Sequence, residues 1–474
     1  MKISRILTPG VLIFLVALVA FELSVNGIWA TDHATSFVQL DYSMWHDHSF
    51  ALTSATRVPP WSVDDFVYHG QNYSALAPGT AFLALPFAGL GFTLAGGYNA
   101  YGNVLVLTES FVALAGALAA YVFYLLALQY FRRSTSIFLG FAFALSTTVW
   151  PMATYFFQSD PSALFVLLAA YLAVRAYRKD GPAWGLSTLA GLSAGVAFTV
   201  DYVNGVLFPI LVAFLLIGKR RSVASMAKSA VGFVIGAIPG LAAIGYYNYA
   251  IFGNPFVGSE QSYLHVPSVL GSFTTSPAFG TALDLVSPAR GLLVFAPLLV
   301  LGVIGYSGAL RSRRSRTELL FFLAIFLGIF IPYSMWYDPY GGLSYGPRFL
   351  TAAIPFLLLP AGFVVENARR WTTWIVYALF GAGTVMNGMA AVVTAIPVTK
   401  SFGDSPFLSV IVPEFFKGNL DTTWGFGSPQ SWIWGTLLVV SLGVLLPLIA
   451  FRLFRQHDPK TLDDFLGRPD KGPP

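Results

Sequence analysis

Residues 103–130 read NVLVLTESFVALAGALAAYVFYLLALQY and run straight into Phe131-Arg132-Arg133. Glu109 is the only charged side chain in that run. About 20 apolar residues suffice for a helix to cross a bilayer core, so the stretch reads as a membrane span. The arginine pair then marks its cytoplasmic end. Apolar runs of similar character extend outward from it in both directions, at 8–30, 135–157, 161–177, 184–201, 203–218, 228–250, 291–310, 317–336, 349–365, 371–396 and 431–451. A further segment, 80–97, is apolar but carries Pro86 and several glycines. It is short for a span and reads as a re-entrant or juxtamembrane segment.

Composition agrees. Only 10% of the 474 residues are charged and mean hydropathy is +0.68, whereas soluble domains carry roughly 25% charged residues. The chain cannot cover itself with a water-facing surface. The net charge of +5 does not point to nucleic acid, because the basic residues form short clusters between apolar runs. The absence of cysteine excludes disulfides, thiol catalysis and zinc–thiolate sites. Lys2 and Arg5 ahead of 8–30 resemble a signal peptide, but the run is long and the first of many, so a retained first helix is expected.

Orientation follows from the basic clusters. With the N-terminus in the cytoplasm, Arg132-Arg133, Arg178-Lys179, Lys219-Arg220-Arg221, Arg311 to Arg316, Arg369-Arg370 and Arg452 all fall on one side. Five basic residues remain outside: Arg57, Arg290, Arg348, Lys400 and Lys417, against 13 acids. The expected architecture is an all-α polytopic domain over 1–455, with about twelve helices, both termini cytoplasmic, and a polar tail at 456–474. The long outer loops are 31–79, 251–289, 337–348 and 397–430.

Chemistry-bearing residues collect on the outer side. Asp41 lies in the first outer loop, where partial desolvation would suit a carboxylate to act as a base. The run His46-Asp47-His48 would, if extended, put both imidazoles on one face as metal ligands. Its alternative reading is a loop cluster without metal. Tyr73 precedes the turn at Pro78-Gly79 and is positioned for substrate contact. Asp160, just before Pro161, suits a helix cap or a functional acid. Asp201-Tyr202 stands at the outer end of a span, where an ionisable group is a functional candidate. Glu22 and Glu109, deeper in spans, would pair with polar neighbours.

Tyr247-Asn248 closes another helix on the outer side. Ser287-Pro288-Ala289-Arg290-Gly291 puts an arginine at a helix start. Trp336-Tyr337-Asp338-Pro339-Tyr340-Gly341-Gly342-Leu343-Ser344-Tyr345-Gly346-Pro347-Arg348 puts a second arginine at another. Arginine opposes the helix dipole there, so both placements ask for an anion: a phosphate, or one of Asp160, Asp201 and Asp338.

Taken together, these pieces resemble the polytopic GT-C glycosyltransferases that use lipid-phosphate sugars, most closely the protein-mannosyltransferase and lipid A aminoarabinose transferase branch. The matching elements are Asp41, Tyr73-Ser74 to Pro78-Gly79, Asp201-Tyr202, Tyr247-Asn248 with Phe252-Gly253, and above all the Gly341 to Arg348 stretch. The resemblance covers roughly 8–365. It implies a polyprenyl- or dolichyl-phosphate sugar donor, a glycan, lipid or protein acceptor, and transfer on the outer face of a cell membrane. It also implies Asp41 as general base. Many relatives carry adjacent acids in that loop, whereas Tyr42 follows Asp41 here; Asp47 or Asp160 would then supply the second carboxylate, or a divalent metal would take part. On this reading Asp41 deprotonates the acceptor hydroxyl, Arg290 and Arg348 neutralise the departing phosphate, and inversion follows. Tyr73, Tyr202, Tyr247, Asn248, Trp336 and Tyr345 would line the substrate path.

Two rival functions explain less. A transporter or flippase of a lipid-linked or anionic solute would place its polar groups near the midplane and show repeated halves, and neither pattern is present. A membrane scaffold would explain the large loops but not the outward arginines.

Overall fold

The computed structural model describes residues 3–449 apart from 26, 28–30, 53–61, 95–100, 218–221, 311–315, 394–396, 398 and 421–430. The expected tail 456–474, Arg57 and the Lys219 to Arg221 cluster lie outside the described residues.

Five helices among the described residues are long and apolar enough to cross a membrane: Val104–Ala127, Ser159–Arg178, Val223–Phe252, Arg316–Ser334 and Arg370–Val392. Several expected spans are shorter because proline and hydroxyl residues interrupt them. The run 291–310 divides at Pro297 into Leu292–Phe295 and Leu299–Ala309. The run 349–365 divides near Pro355 and Pro360 into Ile354–Leu358 and Ala361–Glu366. Each proline removes a backbone donor and crowds the preceding turn.

The first half of the chain builds the frame. Helix α1 (Ile3–Glu22) packs on α4 (Tyr101–Ala127), α4 on α6 (Ser159–Arg178), α6 on α7 (Trp184–Val200), and α7 on α9 (Val223–Phe252); α5 (Arg133–Leu145) sits against α4, and α8 (Leu207–Leu216) against α6 and α9. The tightest contact is α7 on α9. Gly191 and Gly195 face Gly232, Gly236 and Gly240, all at four-residue spacing, and a Cβ on Gly236 would come within 1.9 Å of the Thr188 carbonyl oxygen. Small residues at this spacing let backbones approach where lipid supplies no hydrophobic drive between helices. The two intramembrane acids are partnered as expected: Glu22 accepts from Ser110 Oγ at 2.9 Å and Glu109 from the Gly27 amide at 2.8 Å.

Outside the frame lies the first long loop expected from the sequence, described apart from 53–61. It forms helix α2 (Asp32–Tyr42) and a hairpin of β1 (Asp65–Tyr68) and β2 (Gln71–Ser74), antiparallel with Phe66 opposite Tyr73. Ser36 of α2 donates to Asp65 Oδ1 at 2.6 Å and lies 2.7 Å from Ser74 Oγ, strapping hairpin to helix. The segment expected to be re-entrant or juxtamembrane is helix α3 (Gly79–Leu94). Its 16 residues span only about 24 Å, and it packs between α2 and α4.

Candidate functional site

A cavity of about 330 Å³ opens where four distant segments meet: the start of α2, the approach to β1, the end of α7, and the glycine-rich loop 337–348, with the short helix α10 (Ser259–Tyr263) closing one side. Acids line it, namely Asp32, Asp64, Asp201, Glu260 and Asp338, along with His33, Arg348 and the aromatic residues Tyr202, Tyr263, Tyr333, Trp336 and Tyr337.

Helix α2 places the first pair. Thr31 caps it, its hydroxyl accepting from the Ala34 amide at 3.2 Å. Asp32 then stands in the first turn, where the helix dipole favours an anion. Among the described residues its carboxylate accepts no hydrogen bond. His33 follows, with Nδ1 2.5 Å from Asp64 Oδ2 and Nε2 3.3 Å from Arg348 Nη2. Burial and the neighbouring Arg348 charge push the His33 pKa down, against the pull of Asp64. Burial alone would raise the Asp64 carboxyl, but His33 and Arg348 outweigh it and hold the group below the usual carboxylate range. The relay is therefore ionised Asp64, neutral His33 donating from Nδ1, and Arg348 donating to Nε2.

The loop that carries Arg348 turns through three left-handed glycines, Gly341, Gly342 and Gly346, at φ of 62°, 62° and 63°, a region that side chains with a Cβ resist. Arg290 holds it shut. Its Nη1 donates to Ser344 Oγ and the Gly346 carbonyl, both at 2.8 Å, and its Nη2 to the Gly342 carbonyl at 3.0 Å. Arg348 Nε donates to the Gly341 carbonyl at 2.9 Å, and its Cζ lies 4.7 Å from the rings of both Phe157 and Phe349. Only 4% of Arg348 is exposed, yet Nη1 has no partner among the described residues and the residue lines the cavity. Across from it, Asp201 accepts from the Val203 amide at 3.1 Å and from the Tyr333 hydroxyl. Burial, reinforced by the Asp201 charge, pushes Glu260 up to about 8.

With this geometry in view, the family described as dolichyl-phosphate-mannose-protein mannosyltransferase matches residues 88–246. ArnT from Cupriavidus metallidurans bound to undecaprenyl phosphate superposes with a TM-score of 0.53 at 14% identity, over 95% of this chain and 78% of that one. At this identity the likeness shows a shared fold, that of a polytopic helical membrane protein. The Archaeoglobus fulgidus oligosaccharyltransferase in its apo form gives a TM-score of 0.54 at 14% identity, over 94% of this chain and 56% of that one. AglB from the same organism, in complex with an inhibitory peptide and a dolichol-phosphate, gives 0.55 at 14% identity, over 84% and 57%. The chain thus spans little more than half the length of these oligosaccharyltransferases. No curated protein matches it by sequence.

The fold redistributes the residues singled out from the sequence. Asp201, Tyr202, Trp336 and Arg348 line the cavity. Asp41 does not. It lies nine residues beyond Asp32 on α2, roughly 13 Å along the helix axis. It is fully buried there, and neither carboxylate oxygen has a hydrogen-bond partner among the described residues. Burial pushes its pKa well up, as expected for a carboxyl group withdrawn from water without a partner. Asp160 is likewise buried away from the cavity, inside the first turn of α6 rather than at its cap, which is Gln158. Arg290 is a clamp on the loop and not a cavity residue. Tyr345 is buried with its hydroxyl 3.4 Å from the Met386 carbonyl. Tyr247 is buried beneath the hairpin, Asn248 donates to the Pro255 carbonyl at 3.2 Å, and Tyr73 donates to Gln71 at 3.0 Å on the hairpin's outer side.

His46, Asp47 and His48 are not extended. They belong to a π-helical turn, Ser43–Asp47, ended by His48 at φ 51°, which removes the shared face that alternation in a strand would give. His46 instead pairs with Asp47 at 2.9 Å and stacks on Tyr42. Among the described residues no group of three or more His, Asp or Glu is arranged to hold a metal. The residues that sequence reasoning passed over are Asp32, His33, Asp64 and Glu260. For the first two a signal existed: Thr31-Asp32 is a cap followed by a first-turn acid.

Proposed function

We propose that this chain is a membrane glycosyltransferase that moves a sugar from a polyprenyl- or dolichyl-phosphate donor to an acceptor hydroxyl on the non-cytoplasmic face, with Asp32 as general base. The observation that carries the reading is the pairing, in one cavity, of a carboxylate at the start of α2 with a buried arginine Nη1, neither of which has a hydrogen-bond partner among the described residues. A guanidinium so placed suits a phosphate oxygen, and its charge is worth more in a water-poor site. The family match and the ligands of the superposed structures agree with a lipid-phosphate donor.

The chemistry needs few parts. Asp32 takes the proton of the acceptor hydroxyl as its oxygen bonds to the anomeric carbon. The bond from that carbon to the phosphate oxygen breaks through an oxocarbenium-like state, as in related glycosyl chemistry. Arg348 meets the charge that builds on the leaving phosphate. A single displacement inverts the anomeric centre. Glu260, neutral at pH 7 because burial raises it to about 8, removes one negative charge from a wall that must admit an anion. Tyr202, Tyr333, Trp336 and Tyr337 give the sugar flat apolar faces. The acceptor is a glycan, lipid or protein hydroxyl reaching the cavity from outside.

The test is release of prenyl phosphate from a panel of prenyl-phosphate sugars in the presence of membrane acceptors. Asp32→Asn should lower turnover by roughly a hundredfold or more while leaving the melting temperature and prenyl-phosphate binding in place. Turnover within a few-fold of the parent would remove Asp32 from the reaction.

A further inference from the structure

A cationic site for phosphate in a protein wall faces a conflict. Its guanidinium needs partners to fix its orientation, yet a carboxylate partner would bind it bidentately and consume the charge intended for the ligand. The cavity resolves this at one remove. The acid, Asp64, is 2.5 Å from His33 Nδ1, and only the other ring nitrogen, Nε2, reaches Arg348, at 3.3 Å. A neutral imidazole accepts one hydrogen bond and leaves the guanidinium's charge intact. The ring itself is pinned, edge-on to Phe37 and Phe157 at centroid distances of 6.5 and 5.9 Å. Phe157 also contacts the Arg348 guanidinium, so the imidazole and the guanidinium share one aromatic support. With Nε tied to the Gly341 carbonyl and Nη2 to His33, the remaining nitrogen, Nη1, is left for the ligand.

We propose that His33, held in its tautomer by Asp64, is the positioning residue that keeps Arg348 oriented and fully charged for an anionic ligand, and that protonation of His33 switches this capacity off. The proposal rests on the reading of Arg348 as the phosphate subsite. Protonated His33 has no lone pair on Nε2, so the bond to Arg348 is lost and two cations face each other across it. The groups that bear on this titration are Asp32 on its own helix, Asp64 from the approach to β1, and Arg348 and Asp338 from the glycine-rich loop, with Asp201 and Glu260 across the cavity. Burial and Arg348 push the His33 proton affinity down, more strongly than Asp64 restores it. The neutral, binding-competent state therefore holds through neutral pH and is lost on acidification below the ordinary histidine range.

Binding of undecaprenyl methyl phosphate, a diester whose single charge does not titrate between pH 5 and 8, tests this on the full-length chain in lipid nanodiscs. For the parent protein, the Kd should rise roughly tenfold as the pH is lowered from 7 to below the ordinary histidine range. His33→Gln, which can place an amide oxygen near the Nε2 position, should bind within a few-fold of the parent at pH 7 and lose the pH dependence. His33→Asn can keep the donor toward Asp64 but is too short to reach Arg348; it should bind roughly tenfold more weakly at all pH values. Arg348→Ala separates the two layers. If it leaves affinity unchanged, the phosphate reading of Arg348 fails. If it abolishes binding while both His33 variants retain the parent's affinity and pH dependence, the positioning role of His33 is overturned and the phosphate subsite stands.

Discussion

Arg290 Nη1 donates to the carbonyl of Gly346 at 2.8 Å, two residues before the arginine that faces the cavity. The same guanidinium also holds Ser344 and Gly342, so one buried side chain closes a loop whose three left-handed glycines have no regular structure to define them. Arg290→Ala would strip partners from three acceptors at once, at about 1–3 kcal/mol for each one left buried and unsatisfied. Melting temperature and prenyl-phosphate affinity should fall together. Arg290→Lys keeps the charge without the fork and should recover part of the stability but little of the affinity. If Arg290→Ala binds donor as tightly as the parent, the loop holds its shape by other means.

Asp41→Asn provides the counterpart to Asp32→Asn. Asp41 is buried along α2 and does not line the cavity, so its replacement should leave turnover within about twofold. Stability should respond to pH with a definite sign. The folded-state pKa is raised above the ordinary 3.8, so the protonated form belongs to the fold. The stability it contributes is complete below 3.8 and declines as pH rises toward the raised value. Asn cannot ionise, so the variant should melt higher than the parent at pH 7 to 8, with the gain vanishing near pH 4. A hundredfold loss of turnover in Asp41→Asn would return the base to that position.

The bilayer is what made the architecture legible. It demands long uncharged runs, and 103–130 or 228–250 are visible without any structure. The site was legible only where a residue type was out of place, as with Arg348, on a face that the basic clusters leave almost free of arginine if the N-terminus is cytoplasmic. Sequence could not decide which of Arg290 and Arg348 meets the ligand, because that depends on a loop folding back 50 residues later to accept hydrogen bonds from the first of them. Asp41 drew attention as an acid near an apolar boundary, but α2 is buried from Ala34 to Asp41, and only its first turn reaches the cavity. Asp64 and Glu260 carry no local signal. They matter because a hairpin and a five-residue helix bring them to a cavity assembled from segments some 300 residues apart.

Close packing of α7 on α9 sets where Asp201 stands, since that acid caps the end of α7. A Cβ on Gly236 would meet the Thr188 carbonyl oxygen at 1.9 Å, and one on Gly191 the Phe233 carbonyl oxygen at 1.9 Å. Backbone cannot yield as a side-chain tip can. Gly236→Ala should therefore force the helices apart and cost about 1–3 kcal/mol as overpacking, measured as a lowered melting temperature in detergent. Gly185, at the start of α7 with open space around it, should accept alanine without loss. Equal stability of the two variants would mean that the interface is slack.

Glu260 gives the cavity an alkaline limit. Burial first, and then the charge of Asp201, raise it to about 8, so it is neutral while the donor binds at pH 7. Above that value it ionises beside Asp201 and adds a second carboxylate charge to the wall facing the phosphate. The KM for the prenyl-phosphate sugar should therefore climb through pH 8 to 9 while kcat changes less, because the repulsion acts on the bound ground state as well as on the transition state. Glu260→Gln holds the neutral form at every pH and should flatten that limb without changing KM at pH 7 more than a few-fold. An unchanged alkaline limb in Glu260→Gln would assign the titration to another group, and a KM raised at pH 7 would mean that Glu260 contacts the sugar directly.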